Sequence, residues 1–341
     1  MYQQIQTISY RHITILIAAL LISYACKSKL NTLPVVPVDV KIDNIWSNAT
    51  QANQNVNQIK ELISRDTILA GIISTAILGS DRGINDSLLI SYIKDPERKR
   101  LNDSADYIFG KFDWQSLKKP LGRYKSSFPD KSVPIFYPMI TDFNYGLFQF
   151  QNQNGAEAIG IGKEMFLGLT GLYDQISISN PNFSSYINRT FNLQHLPEKI
   201  MFALATELVP DPPSNRLLDH ILNEGKKLYL VKEWMPDLPD SIWFECTLNQ
   251  FQWIKQNEFD IWRFLLSDKL FYKNSSKDIA NLTKPAPHSQ GMPPEAPGRA
   301  VNYIGYKIID SYMKKNKISL RELVCENNYD LMLQNANYKP R

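Results

Sequence analysis

Residues 214–231 read S-N-R-L-L-D-H-I-L-N-E-G-K-K-L-Y-L-V, from Ser214 to Val231. Leu217, Leu218, Ile221, Leu222, Gly225, Leu228 and Tyr229 recur at helical spacing and form one apolar stripe. Asp219, His220, Asn223, Lys226 and Lys227 fall on the other side, which predicts an amphipathic helix with a solvated polar face. Pro212 and Pro213 stop whatever precedes it, and Ser214 or Asn215 can cap its first turn. At about 100° per residue, Glu224 lies beside Leu217 and Leu228 at the edge of the stripe. That carboxylate therefore looks along a helix seam.

Immediately upstream, Ile200 to Val209 is apolar nearly all round, the mark of a buried helix, and Pro197 suits its first position. Glu207 is the one acid in that run. A buried carboxylate needs a partner, so Glu207 should face an arginine, a donor or a cleft. Earlier still the period shortens. Val133–Ile140, Gly146–Phe150 and Ala158–Gly162 have the β-branched and aromatic content of short strands, with a turn at Asn152–Gly155. Helical patterns fill most of the rest: Asp43–Leu62, Thr67–Leu78, Asp103–Gly110 and Trp114–Tyr124 before the strands. After residue 231 come a long helix from Thr247 to Phe271 and another from Arg299 to about Lys315. A last helix opens at the Ser319–Glu322 capping box. Lys284–Pro297 is proline-rich and reads as a loop. The expected fold is α+β, mostly helical, with a small sheet near residues 133–162 inside a single domain spanning residues 41–341.

The chain starts with a targeting pattern. Arg11 and His12 precede the apolar run Ile13–Ile22, which is shorter than the roughly 20 residues that span a bilayer. Ser23-Tyr24-Ala25-Cys26 then resembles a bacterial lipobox. Residues 1–25 are read as a lipoprotein signal peptide and Cys26 as the lipidated mature N-terminus, an anchor that needs no spanning helix. Residues 26–40 contain Pro34 and Pro37 and no helical period, so they read as a tether.

Composition excludes several classes. The net charge of +4 over 341 residues is small, and removing Arg11 with the leader leaves about +3, so nothing suggests a nucleic-acid partner. Three cysteines form no CxxC motif, and once Cys26 carries lipid only Cys246 and Cys325 remain. Free buried thiols are favoured over a pair. The four histidines are too scattered for a recognisable ligand spacing. Gly160, Gly162 and Gly168 lack the spacing and the lysine of a phosphate loop, and no GxSxG supports a serine triad.

One metal option is instructive. A zinc peptidase places two histidines one turn apart in HExxH, and a glutamate on the next helix completes the site. Here strands precede a buried helix with Glu207 and then a helix with Glu224-Gly225. In that frame Thr206-Glu207-Leu208-Val209-Pro210 occupies the motif, and both histidine positions are empty. No metal, cofactor or catalytic residue is expected. A vestigial cleft formed by Glu207, Glu224 and His220 is, with the two acids near each other and no imidazole at hand. Glu258 and Arg299 are candidates for a buried ion pair.

Several stretches occur in an order that resembles a known family. They are Ile159-Gly160-Ile161-Gly162-Lys163-Glu164-Met165-Phe166-Leu167-Gly168, Leu217-Leu218-Asp219 with Glu224-Gly225-Lys226-Lys227-Leu228-Tyr229, and Gln256-Asn257-Glu258 with Ile261-Trp262. Pro297-Gly298-Arg299 with Tyr303-Ile304-Gly305-Tyr306, Ser311-Tyr312-Met313, Ser319-Leu320 and the terminal Tyr338-Lys339-Pro340 complete the set. Over roughly residues 130–341 the chain resembles the gliding-motility lipoprotein GldB family. The resemblance implies an envelope lipoprotein that acts with other gliding and type 9 secretion components. It also implies a distant likeness to zincin-like HExxH peptidases whose ligands are lost. The expected function is therefore a non-enzymatic, lipid-anchored, periplasm-facing protein with protein partners in that apparatus. Lys27-Ser28-Lys29 lacks an acidic export tag, which points to the inner leaflet of the outer membrane. The competing readings are a peptide- or peptidoglycan-directed hydrolase working in the Glu207/Glu224 groove and an envelope assembly chaperone.

Overall fold

Backbone contact between two glycines fixes the centre of the molecule. Five helices carry the description: α1 (Lys118–Ser127), α2 (Leu196–Leu208), α3 (Leu217–Trp234), α4 (Ala300–Asn316) and α5 (Tyr329–Ala336). Helices α3 and α4 cross at Gly225 and Gly305. A Cβ on Gly225 would stand 2.4 Å from the Gly305 carbonyl carbon, and one on Gly305 would stand 2.1 Å from the Ile221 oxygen. Neither glycine leaves room for a methyl group, so the two backbones touch. Leu218, Ile221, Leu222, Ile304, Ile308 and Ile309 seal the crossing, all fully buried.

The computed structural model describes residues 33–45, 48 and 56–340. The leader expected over residues 1–25 and the lipidation site Cys26 lie outside the described residues. A compact unit begins at Pro34 and runs to Arg341. The Val36 carbonyl lies so close to Gly122 of α1 that a Cβ there would approach it to 2.5 Å.

The fold is mostly helical, with one three-stranded sheet where the sequence places it. Strands β1 (Ile135–Met139), β2 (Leu147–Gln151) and β3 (Glu157–Gly162) lie in the order β1-β3-β2. β1 runs parallel to β3, with Phe136 opposite Ile159, and β2 runs antiparallel to it, with Phe148 opposite Gly160. The Asn152 side chain accepts hydrogen bonds from the amides of Asn154 and Ala156 at 3.0 Å and so closes the β2–β3 turn. Along the outer edge of β1, the Asp43 amide donates to the Phe136 carbonyl at 2.8 Å.

Three sequence expectations need correction. The polar face of α3 is not solvated: Asp219, Asn223 and Lys226 are at most 2 % exposed. A second layer containing α5 packs against this side of α3, and each of the three has a polar partner. Asp219 takes Arg216 and the Ser214 hydroxyl. Asn223 donates to the Pro210 carbonyl at 2.7 Å. Lys226 donates to the Glu326 carbonyl and lies 4.6 Å from the centre of the Tyr329 ring. Burial pushes the Lys226 ammonium down to about 8, against the pull of Glu326.

The expected caps are also employed elsewhere. Arg216 occupies the cap of α3 and its side chain caps no backbone amide, while Asn215 donates to the Asn274 carbonyl. The long helix expected from Thr247 to Phe271 breaks into Leu248–Gln256, Glu258–Leu266 and a 3-10 stretch at Ser267–Tyr272. Asn257 breaks it by turning its amide back onto the Trp253 carbonyl at 2.8 Å, the local competition that makes asparagine a poor helix interior. Thr247 and Ser319 do open their helices through capping boxes.

Gly305→Ala is expected to lose about 3 kcal/mol or more of stability, because neither backbone can yield to the added methyl. Gly171, on a short helix with nothing within 4 Å of its missing Cβ, is the control. Gly171→Ala should be neutral or gain up to about 1 kcal/mol. Urea unfolding of both variants makes the comparison.

Candidate functional site

The three residues expected to share a cleft have separate surroundings. Glu207 is exposed on the last turn of α2, beside a small hollow that also touches Tyr124, Lys131 and Glu157. Thr206 and Pro210 are exposed as well. Glu224 is half-buried and pairs with Lys227 at 2.9 Å on its own helix. His220 faces Asn215 through Nε2 at 3.0 Å. The expected Glu258–Arg299 pair is likewise absent. Glu258 instead accepts from the Tyr338 hydroxyl at 2.6 Å and lies 3.6 Å from Lys307.

Arg299 has a different partner, and around it the chain builds a site. The acid that α2 buries is Glu198, only 2 % exposed. At about 100° per residue it falls in the arc with Met201, Ala205 and Val209, and Glu207 falls on the opposite side of the helix, about 180° from Glu198. Glu245 follows the short helix Asp240–Trp243. Its carboxylate takes Lys199 on one oxygen and the Arg299 guanidinium at 2.7 Å on the other. Arg299 also donates to the Phe244 carbonyl at 2.8 Å and sits 5.5 Å from the centre of the Phe244 ring. Arg189 buttresses the loop, donating to the Glu245 carbonyl at 2.9 Å and to Gln250 at 3.1 Å.

Both members of the central pair have left-handed backbones, Glu245 at φ 49° and Arg299 at φ 58°. Non-glycine residues in that region cost about 1–3 kcal/mol each and tend to mark functional positions. The loop from Lys284 to Gly298 holds Arg299 in place. Ser289, fully buried, donates to the Pro297 carbonyl at 2.6 Å and accepts from the Ala300 amide at 3.3 Å. Gly298 packs so tightly that a Cβ would meet the Ala286 oxygen at 2.2 Å.

The cluster forms one wall of a half-open cavity of about 390 Å³, within the size range of small-molecule pockets. Its remaining walls are mainly apolar: Leu147 of β2, Met165 and Phe166 after β3, Phe191, Phe202, Leu228 and Trp243. Lys199, Glu245 and Arg299 also border a second hollow of about 100 Å³, shared with Arg189 and Gly298. Just before Gly146, which lines the cavity, buried Glu164 holds the turn after β1. That side chain accepts from the Thr141 amide at 2.7 Å and the Phe143 amide at 3.0 Å, pinning two left-handed residues, Asp142 and Phe143.

The two acids of the site are driven apart in protonation. Burial and the neighbouring Glu245 charge raise the Glu198 carboxyl well above its ordinary value, outweighing Lys199 and Arg299. One of its oxygens, Oε2, is buried without a hydrogen-bond partner. Burial also acts to raise Glu245, but Lys199 and Arg299 outweigh it and hold that carboxyl far below the usual range. Burial and Lys199 push His195 down to about 4, and its Nδ1 faces Asn192 at 3.0 Å. Burial pushes the Cys246 thiol up to about 11. Among the described residues no group of three or more His, Cys, Asp or Glu side chains is placed to hold a metal ion.

Replacing either acid by its amide should separate their roles. Glu245→Gln leaves two half-buried cations short of a counter-charge and is expected to cost about 2–4 kcal/mol at neutral pH, somewhat less than breaking a fully buried pair. Glu198→Gln should stay within about 1 kcal/mol of the parent at pH 5. A raised carboxyl stabilises the fold below its unfolded value, near 4.3, and loses that contribution as pH climbs towards the folded value. An amide at this position does not titrate, so the Glu198→Gln chain should gain on the parent steadily from pH 5 to pH 8. Urea midpoints at four pH values check both.

Compared with known proteins, the chain matches the family model described as gliding motility protein GldB over residues 26–340. No curated protein and no solved structure matches it. The chain therefore belongs to the gliding motility protein GldB family.

Proposed function

We propose that this member of the GldB family is a non-enzymatic cell-envelope lipoprotein. In this reading a lipidated Cys26 holds it on the inner leaflet of the outer membrane, and it supports gliding by binding a partner in the cavity over Glu198, Lys199, Glu245 and Arg299. The observation that carries the anchor is positional. The family match begins at residue 26, the cysteine that ends the Ser23–Cys26 lipobox pattern. Among the described residues no helix is long and apolar enough to cross a membrane, and a lipid chain is the attachment the sequence itself offers.

The chemistry of the cavity supports binding over catalysis. A general base must be ionised and free to accept a proton. Glu245 is held ionised but clamped by two cations, and burial pushes Glu198 towards its protonated form. The Cys246 thiol stays protonated far above neutrality, so it makes a poor nucleophile. The zincin-like ancestry enters only through the order of elements, strands followed by α2 and α3. A hydrolase is the second reading, favoured by one feature: a neutral and an ionised carboxyl face one cavity, the division of labour that acid–base catalysis uses.

Cys26→Ala in the bacterium that carries the chain is expected to move it from the membrane to the soluble fraction and to abolish colony spreading. Spreading retained at parental protein level and without membrane association would overturn the anchor. Incubating the purified chain with peptidoglycan sacculi should release no soluble fragments. Release that Glu245→Gln abolishes would favour the hydrolase.

A further inference from the structure

We propose that the cavity takes a ligand presenting a single carboxylate on an apolar stem, the carboxylate seated against Arg299 and Lys199 and the stem against Phe166, Phe202 and Trp243. This deepens the reading of the cavity as a binding site and rests on it.

Three independent features point to that chemistry. The first is charge. Lys199 and Arg299 share one carboxylate, Glu245, in the lining of the larger cavity. Burial and the Glu245 charge push Glu198 beside them towards its neutral form, so these four side chains carry one surplus positive charge whenever Glu198 holds its proton. A monoanion balances it, and a dianion such as a phosphate monoester overshoots. The second is unused hydrogen-bonding capacity at the charged end. Arg299 commits only Nη2 to protein acceptors among the described residues, and its fork geometry suits a second carboxylate. Glu198, nearly fully buried and lining the same space, keeps one oxygen without any partner. The third is the rest of the lining, mostly large aromatic and aliphatic side chains, with the Trp243 indole N–H already given to the Leu228 carbonyl at 3.0 Å. The left-handed backbones at Glu245 and Arg299 hold the charged end in one geometry.

The same chemistry has two sources, a fatty acid and the C-terminus of a peptide ending in a large apolar residue, and the experiment separates them. The chain from residue 26 onward with Cys26→Ser keeps the whole compact unit and needs no detergent. Four probes are titrated by calorimetry and by Trp emission, to which Trp243 at the cavity wall contributes: decanoate, decanamide, Ala-Leu-Phe as free acid, and the same tripeptide as C-terminal amide. At least one acid should bind at least tenfold more tightly than its amide and shift the emission. Decanoate alone would assign the lipid source, and the tripeptide alone the peptide source. Arg299→Lys should lose most of the preference for acid over amide. Ala203→Glu, a half-exposed position lining the cavity, serves as a second variant and should abolish binding while the thermal transition stays intact. Equal affinity for acid and amide would overturn the carboxylate and leave a merely apolar binding site. No binding of any probe by the folded chain up to millimolar concentration would overturn the ligand class outright, and membrane fractionation of Cys26→Ala would still test the anchor separately.

Discussion

Everything in this protein is arranged about the place where α3 and α4 meet without side chains between them. Two glycines bring the backbones together, so each helix buries an entire face against the other and against what surrounds both. The consequence reaches the polar residues of α3. Asp219, Asn223 and Lys226 are drawn inside by a second layer, and the fold tolerates them because each has a partner of matching chemistry. A helix read as amphipathic from its own periodicity is therefore a central helix, with apolar contacts on one side and satisfied polar ones on the other.

A similar logic separates the two acids of α2. The helix is apolar on most sides for two reasons: one arc faces the core, and Phe202 and Ala203 face a cavity. Glu198 lies in the buried arc and becomes part of the site, while Glu207, near the far end of the same helix, lies past the cover of its neighbours. Glu198 and Glu245 then differ because their surroundings differ. Glu245 has two cations in hand and stays charged. Glu198 is enclosed and close to that charge without a cation bonded to it, so its carboxyl is pushed towards the neutral form.

Fold class, the place of the sheet, the proline-rich loop and the capping box at Ser319 were legible because each depends on local chemistry. Periodicity, turn residues and cap residues act within a few positions of one another. The site was legible only in part. Arg299 stood out within Pro297-Gly298-Arg299, but its partner did not, since Glu245 lies 54 residues away and meets it through two left-handed residues that no spacing rule marks. Glu198 carried one available signal, an acid on the same helical arc as Met201 and Ala205. It was overshadowed by Glu207, whose place in an unbroken apolar run looked more buried than it is. Burial of the polar face of α3 had no local signal, because the covering layer is supplied from the far end of the chain.

The loop that presents Arg299 has one further effect. Five prolines from Lys284 to Pro297, a buried serine bonded to Pro297 and Ala300 and a glycine wedged against Ala286 leave it almost no alternative shapes. Loops that bind by wrapping around their targets must surrender conformational freedom at the moment of contact, and affinity falls accordingly. Here that freedom is already gone when the chain has folded, so the proposed guest would meet a guanidinium held ready. Such a surface would recognise few shapes and would hold on to the ones it did recognise.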